Sequence, residues 1–177
     1  MKTVFFDIDT QIDFVYPAGA LYVPGAEHIL PIVGELNRRA PVVISTMDAH
    51  SENDPEFQIY PPHCVVGTTG QHKPAITLLD QRDRQRIIEK QKLDCFSSPR
   101  LEPLLRELNA DRYVVYGVVT EICVRFAAFG LLKMGKPVEI VTDAVKALDE
   151  QKAREMFTEF QAAGGLLTTS SSVLGTL

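Results

Sequence analysis

RYVVYGVVTEICVRFAAFGLLKM, residues 112–134, decides the reading of the fold. Val and Tyr crowd residues 112–119, a composition that suits a strand covered on both faces, as in a parallel sheet. Residues 121–134 are apolar nearly all round and predict a buried helix, with Thr120 as its N-cap. A buried strand running into a helix is half of a βαβ unit, and the same alternation extends in both directions. Upstream, TVFFDI (3–8), PVVIST (41–46) and RIIEK (86–90) are strand candidates. Ile29, Ile32, Val33 and Leu36 share one helical face, as do Leu101, Leu104, Leu105 and Leu108. Pro103 fits the second of these helices only in its first turn, so that helix starts near Leu101. Downstream, KPVEIVT (136–142) is a strand. Asp149 then caps a helix with the stripe Ala153, Met156, Phe157 and Phe160, ended by Gly164 and Gly165, and LLTTS (166–170) is the last strand.

This order predicts a three-layer α/β/α Rossmann-like fold: a mostly parallel sheet of about six strands with helices on both faces, in one domain spanning 1–177. Ligands of such sheets sit outside the carboxyl ends of the strands. The stretch 47–85 breaks the rhythm, and a loop of that length in a compact domain points to function or disorder.

Composition narrows the classes of function. The chain has 177 residues, 45% hydrophobic and 23% charged, with 18 Lys plus Arg against 23 Asp plus Glu. That acidic balance argues against a nucleic-acid partner, and no long uncharged apolar run predicts a membrane span. Asp7, Asp9 and Asp13 fall where a signal peptide would carry its apolar region, so a cytoplasmic protein is expected. Cys64, Cys95 and Cys123 are an odd number with no short repeated spacing, so neither a disulfide framework nor a Cys-x-x-Cys metal site is signalled.

Four polar groups fall at strand ends. DIDTQIDF places Asp7, Asp9 and Asp13 after the first strand; the bland reading is a helix cap with solvated carboxylates. An Asp-x-Asp phosphotransferase with Asp7 as nucleophile is a sharper one, although Gln11 stands where that motif wants Thr. Asp48 and His50 point to one side of an extended segment, and the prolines of YPPH stiffen the approach of His63. Two imidazoles and a carboxylate, with Glu56 in the same loop, form a plausible first shell for zinc, iron or manganese; the alternative is an ordinary surface loop. Lys90 closes the third strand, with Lys92 as its competitor two residues on; a snorkelling surface lysine is the ordinary reading of either. Cys123, placed early in the helix after the most apolar strand, can use free N–H groups both to favour a thiolate and to hold an oxyanion.

Taken together, DTQIDF, GALYVPGA, DAH, YPPHCVVGTTG, EKQKLDCF and GVVTEICV resemble the isochorismatase-like cysteine hydrolases, and within them the nicotinamidase (pyrazinamidase) branch. The resemblance covers nearly the whole chain. It implies a triad of Asp9, Lys90 and Cys123, a cis peptide at Val118–Val119, and oxyanion donors at the N–H groups of Val119 and Cys123. It implies metal ligands at Asp48, His50 and His63, with Glu56 as an extra one, and a divalent transition metal, zinc before iron or manganese. Phe14 and Tyr60 would sandwich a pyridine ring. The implied reaction, a step of NAD metabolism, takes nicotinamide to nicotinate and ammonia through a thioester, and a homo-oligomer is compatible with it. Metal and triad are read here as separate sets, the Lys90–Cys123 pair not involving the ion. The rivals are a metal-free cysteine amidase for a ureido or carbamoyl substrate, an isochorismate vinyl-ether hydrolase, which needs no thiol, the Asp7 phosphotransferase, and a non-enzymatic binding protein on a degenerate fold.

Overall fold

A computed structural model describes residues 2–81 and 83–176. Six strands, β1 (Thr3–Ile8), β2 (Val43–Asp48), β3 (Gln85–Lys90), β4 (Arg112–Val118), β5 (Val138–Lys146) and β6 (Leu166–Thr168), form one sheet in the order β3-β2-β1-β4-β5-β6. Every neighbouring pair is parallel. The helices are α1 (Ile12–Val15), α2 (Leu30–Arg39), α3 (Leu101–Leu108), α4 (Arg125–Lys133), α5 (Glu150–Ala162) and α6 (Ser170–Leu174). From β1 the chain steps outward in one direction and from β4 in the other. Right-handed crossovers therefore put the intervening helices on opposite faces. The packing agrees: α2 lies with α6, and α4 with α5.

The two central strands explain why this order is stable. All of β1 is buried, and so is β4 beyond Arg112. Phe6 meets Tyr113 edge-on at 6.0 Å between centroids, and Phe5 meets Tyr116 at 6.3 Å. Fully burying such a side chain is worth about 1.5–3 kcal/mol. Gly117 has φ +116°, and a Cβ there would lie 2.1 Å from the Ile8 carbonyl oxygen. Glycine thus lets β4 close against β1 directly beneath the place where the strand order reverses.

The sequence reading needs several corrections. The segment 121–134 is not one helix buried all round. Residues Thr120–Val124 form a π-helical turn and α4 begins only at Arg125, leaving Phe126 and Met134 partly exposed. Thr120 makes no side-chain cap, and the residue before the turn is Val119. β5 runs on to Lys146 because a register shift between Val115 and Gly117 lets it continue along β4. β6 stops at Thr168 because the Thr169 side chain accepts the Ser172 N–H and opens α6. Within the long excursion after β2, short 3₁₀ turns form at Pro55–Gln58, Thr69–Gln71 and Ala75–Thr77. Among the described residues no helix is long and apolar enough to cross a membrane.

Candidate active site

The carboxyl ends of β1, β2, β3 and β4 bring Asp9, Asp48, Lys90 and Cys123 together. Asp9 follows β1 with a left-handed backbone (φ 47°). Thr46 fixes it twice, donating its hydroxyl to Oδ1 at 2.6 Å and accepting the Asp9 N–H at 3.2 Å. Lys90 ends β3 in register with Asp48 at the end of β2. Its Nζ lies 2.8 Å from Asp9 Oδ2 and 3.8 Å from Cys123 Sγ, and it pairs with Asp48 Oδ1. All four side chains are buried. Lys92 is exposed, and Lys90 is the one of the two lysines that reaches Asp9 and Cys123.

Cys123 lies within the π turn, not near the start of a regular α-helix. The Val124 N–H reaches back to the Val119 carbonyl at 3.1 Å, and the Val118–Val119 peptide is cis. This widened turn carries the thiol from the end of β4 to the Lys90 ammonium.

Charge in this cluster is closely balanced. Burial pushes the Asp9 carboxyl above its ordinary value, Lys90 opposes that, and Asp48 adds to it. Burial would lower Lys90, but Asp9, Cys123 and Asp48 outweigh it and hold the ammonium well above its usual value. Asp48 stays low because Lys90 and His50 overcome the effect of its burial. The Cys123 thiol is pushed well up by burial; Lys90 lowers it, while Asp9 and Asp48 raise it. Two carboxylates and one ammonium leave no net positive charge for a thiolate. Burial and the two carboxylates thus oppose a thiolate at Cys123, and Lys90 favours one.

Asp48, His50 and His63 offer ligand atoms all within 4.8 Å of one another, and all three are buried. Asp48 Oδ2 lies 3.8 Å from His50 Nε2 and 4.0 Å from His63 Nε2. Glu56 Oε1 approaches the same two nitrogens at 4.0 and 3.7 Å. Asp54 stands 3.0 Å from His50 Nδ1, and His63 Nδ1 is 2.8 Å from the Pro61 carbonyl oxygen. These contacts orient both rings with Nε2 inward, as outer partners of metal-bound imidazoles do. Among the described residues neither ring nitrogen of His50 makes a hydrogen bond: Nδ1 has only the charge contact with Asp54, and Nε2 stands bare and buried. A buried imidazole nitrogen left bare beside a carboxylate and a second imidazole fits a divalent transition metal.

Between this cluster and Cys123 is a small cavity. Phe14 and Tyr60 line it, with Leu21, Leu93, Ile122 and Leu148 completing an apolar wall that the sequence reading did not single out. Thr46, Asp54 and Phe57 were also missed. Phe57 sets its ring 5.4 Å from His50 and 5.6 Å from His63, a contact across a loop that carries no periodic signal.

Asp7 does not serve as a phosphoryl acceptor. Its carboxylate is fully buried, is already contacted by Thr10, Asn37, Ser45 and Lys73, and does not line the cavity. Burial pushes the Cys95 thiol up to about 12 and raises the Cys64 thiol as well, and neither of these cysteines lines the cavity that Cys123 borders.

Fold and site together place the chain among the three-layer α/β/α hydrolases. It belongs to the isochorismatase family, whose domain matches residues 3–172. A nicotinamidase of Acinetobacter baylyi is 27% identical, over 93% of this chain and 90% of that protein. The pyrazinamidase of Pyrococcus horikoshii in complex with zinc superposes with a TM-score of 0.86 at 30% identity, covering 96% of this chain and 99% of that one. PnC1 of L. infantum in complex with nicotinate superposes at 0.87 and 30% identity, over 96% of this chain and 93% of that one.

Proposed function

We propose that this protein hydrolyses nicotinamide to nicotinate and ammonia, with Cys123 as nucleophile, Asp9 as proton carrier and Lys90 as the cation that holds them. The observation that carries the proposal is the contact of Lys90 with both Asp9 and Cys123 at the edge of a small aromatic-walled cavity. Asp9 takes the Sγ proton as Cys123 attacks the amide carbon, and Lys90 balances the charge that moves between them. The oxyanion develops against the backbone N–H groups of Val119 and Cys123. As the C–N bond breaks, Asp9 returns its proton to the leaving nitrogen and ammonia departs, leaving a thioester. Water then attacks the thioester carbon, giving its proton to Asp9, and the Cys123 sulfur leaves and regains a proton.

Phe14 and Tyr60 hold the ring, and the closed apolar wall restricts the site to a small planar amide. Asp48, His50 and His63, with Glu56 beside them, would hold a divalent metal, zinc first. When bound, that ion supplies a Lewis-acidic anchor for the ring nitrogen, directly or through water. The zinc in the Pyrococcus horikoshii relative and the nicotinate in the L. infantum relative support this reading. A metal-free pocket for a ureido or carbamoyl substrate would give three converging ligand atoms no purpose. Ammonia release from nicotinamide, pyrazinamide and ureido amides, with and without chelator, tests the proposal. Release from nicotinamide that is lost in Cys123→Ala is the expected result; turnover of ureido amides alone would overturn it.

A further inference from the structure

The first loop contains a buried side chain that the reaction does not use. Gln11 is fully buried and spends its amide on the backbone of two other segments. Its Oε1 accepts the Asp48 N–H at 2.7 Å, while its Nε2 donates to the Asp48 carbonyl at 2.9 Å and to the Gln71 carbonyl at 2.7 Å. The orientation of the amide follows from these partners: a flipped amide would face N–H with NH₂ and two carbonyls with oxygen. Gln11 thus grips both backbone polar groups of one residue, Asp48, which leaves that residue little rotational freedom. Asp48 is also the residue whose carboxylate must face two ways, with Oδ1 to Lys90 and Oδ2 toward His50 and His63. A rotation of the Asp48 backbone would satisfy one side only.

We propose that Gln11 is a positioning residue that holds Asp48 at the orientation in which one carboxylate serves Lys90 and the histidine cluster together. The proposal rests on the metal reading above for its affinity readout, and on geometry alone for its structural one. Removing a group that orients a metal ligand typically weakens metal binding by about tenfold to a hundredfold.

The fold supplies a matched control. Gln85 also spends its amide on three bonds: Oε1 accepts the Leu79 N–H at 2.7 Å, and Nε2 donates to Ser45 Oγ at 2.8 Å and to the Thr77 carbonyl at 3.0 Å. It sits at the opposite end of β3 from Lys90. Gln11→Met and Gln85→Met therefore remove comparable bonding, one beside Asp48 and one remote from it.

The experiment measures Zn²⁺ affinity by competition with a chromophoric chelator, the visible spectrum of the Co²⁺ form, and a metal-free crystal structure of each variant. Gln11→Met is expected to bind Zn²⁺ about tenfold to a hundredfold more weakly, with an altered Co²⁺ spectrum and an Asp48 carboxylate turned away from one of its two partners. Gln85→Met is expected to lose thermal stability but keep wild-type affinity and spectrum. If Gln11→Met fails to fold, Gln11→Leu takes its place, since it also removes the acceptor and both donors and introduces no charge. Wild-type affinity in the Gln11 variant, or equal weakening in both variants, overturns the proposal. Should wild-type protein take up neither ion, the metal reading falls and the crystal structure decides: Asp48 unmoved in the Gln11 variant overturns the positioning role, and Asp48 rotated supports it.

Discussion

Asp48 and Lys90, register partners at the ends of β2 and β3, form a buried ion pair that joins the ammonium beside Cys123 to the histidine cluster. The two sets of residues are therefore not independent, as the sequence alone suggested. One Asp48 oxygen faces Lys90 and the other faces His50 and His63. Whatever binds the cluster shares a carboxylate with the cation that touches Cys123.

Substitution at Asp48 should accordingly cost more than substitution at His63. Asp48→Ala is expected to lose stoichiometric metal and to lower turnover by more than about a hundredfold even with metal in excess, because Lys90 loses one of its carboxylates. His63→Ala should lose metal affinity and weaken nicotinamide binding, yet leave Cys123 open to a small alkylating reagent. Metal analysis alongside iodoacetamide labelling of both variants checks this.

Cys123→Ala should reduce turnover by about 10⁴-fold or more while melting as the wild type does. Cys64→Ala and Cys95→Ala should retain activity within a few-fold, since neither residue lines the cavity that Cys123 borders. Rapid-quench mass spectrometry should show an acyl adduct on the peptide containing Cys123 and on no other.

Asp9→Asn separates proton transfer from thiol acidity. Burial, Asp9 and Asp48 raise the Cys123 thiol, so its alkylation rate should keep climbing above the ordinary thiol range near 9.0. Removing the Asp9 charge favours the thiolate, so the rise should move to lower pH in Asp9→Asn. Turnover should nonetheless disappear, because the amide cannot accept the proton. A pH–rate profile for labelling, set beside steady-state assays, tests both halves.

Lys73 and Asp7 form a further buried ion pair, 3.2 Å apart, with Thr10 beside them. It ties the end of the long excursion to β1 without touching the cavity. Lys73→Met leaves a buried carboxylate unpaired and should cost about 3–5 kcal/mol in denaturant unfolding. The folded fraction should keep its kcat.

Much of this molecule was legible in its residues. The Val- and Tyr-rich β4, the apolar faces of α2 and α3, and the strand ends bearing Asp9, Asp48, Lys90 and Cys123 all follow from local pattern, because period and composition report burial before any contact is known. The order of strands and the distances across their ends do not follow from local pattern. Lys90 lies 33 residues from Cys123 and 42 from Asp48, and only pairing of parallel strands brings them together. The π turn at Thr120–Val124 looked like the start of an ordinary helix, since propensity does not distinguish a hydrogen bond to the fifth residue from one to the fourth. The cavity wall, the Phe57 ring against both histidines and the grip of Gln11 on Asp48 were silent for the same reason. Each depends on side chains from distant segments meeting, and that geometry exists only after the sheet has closed and fixed where each strand ends.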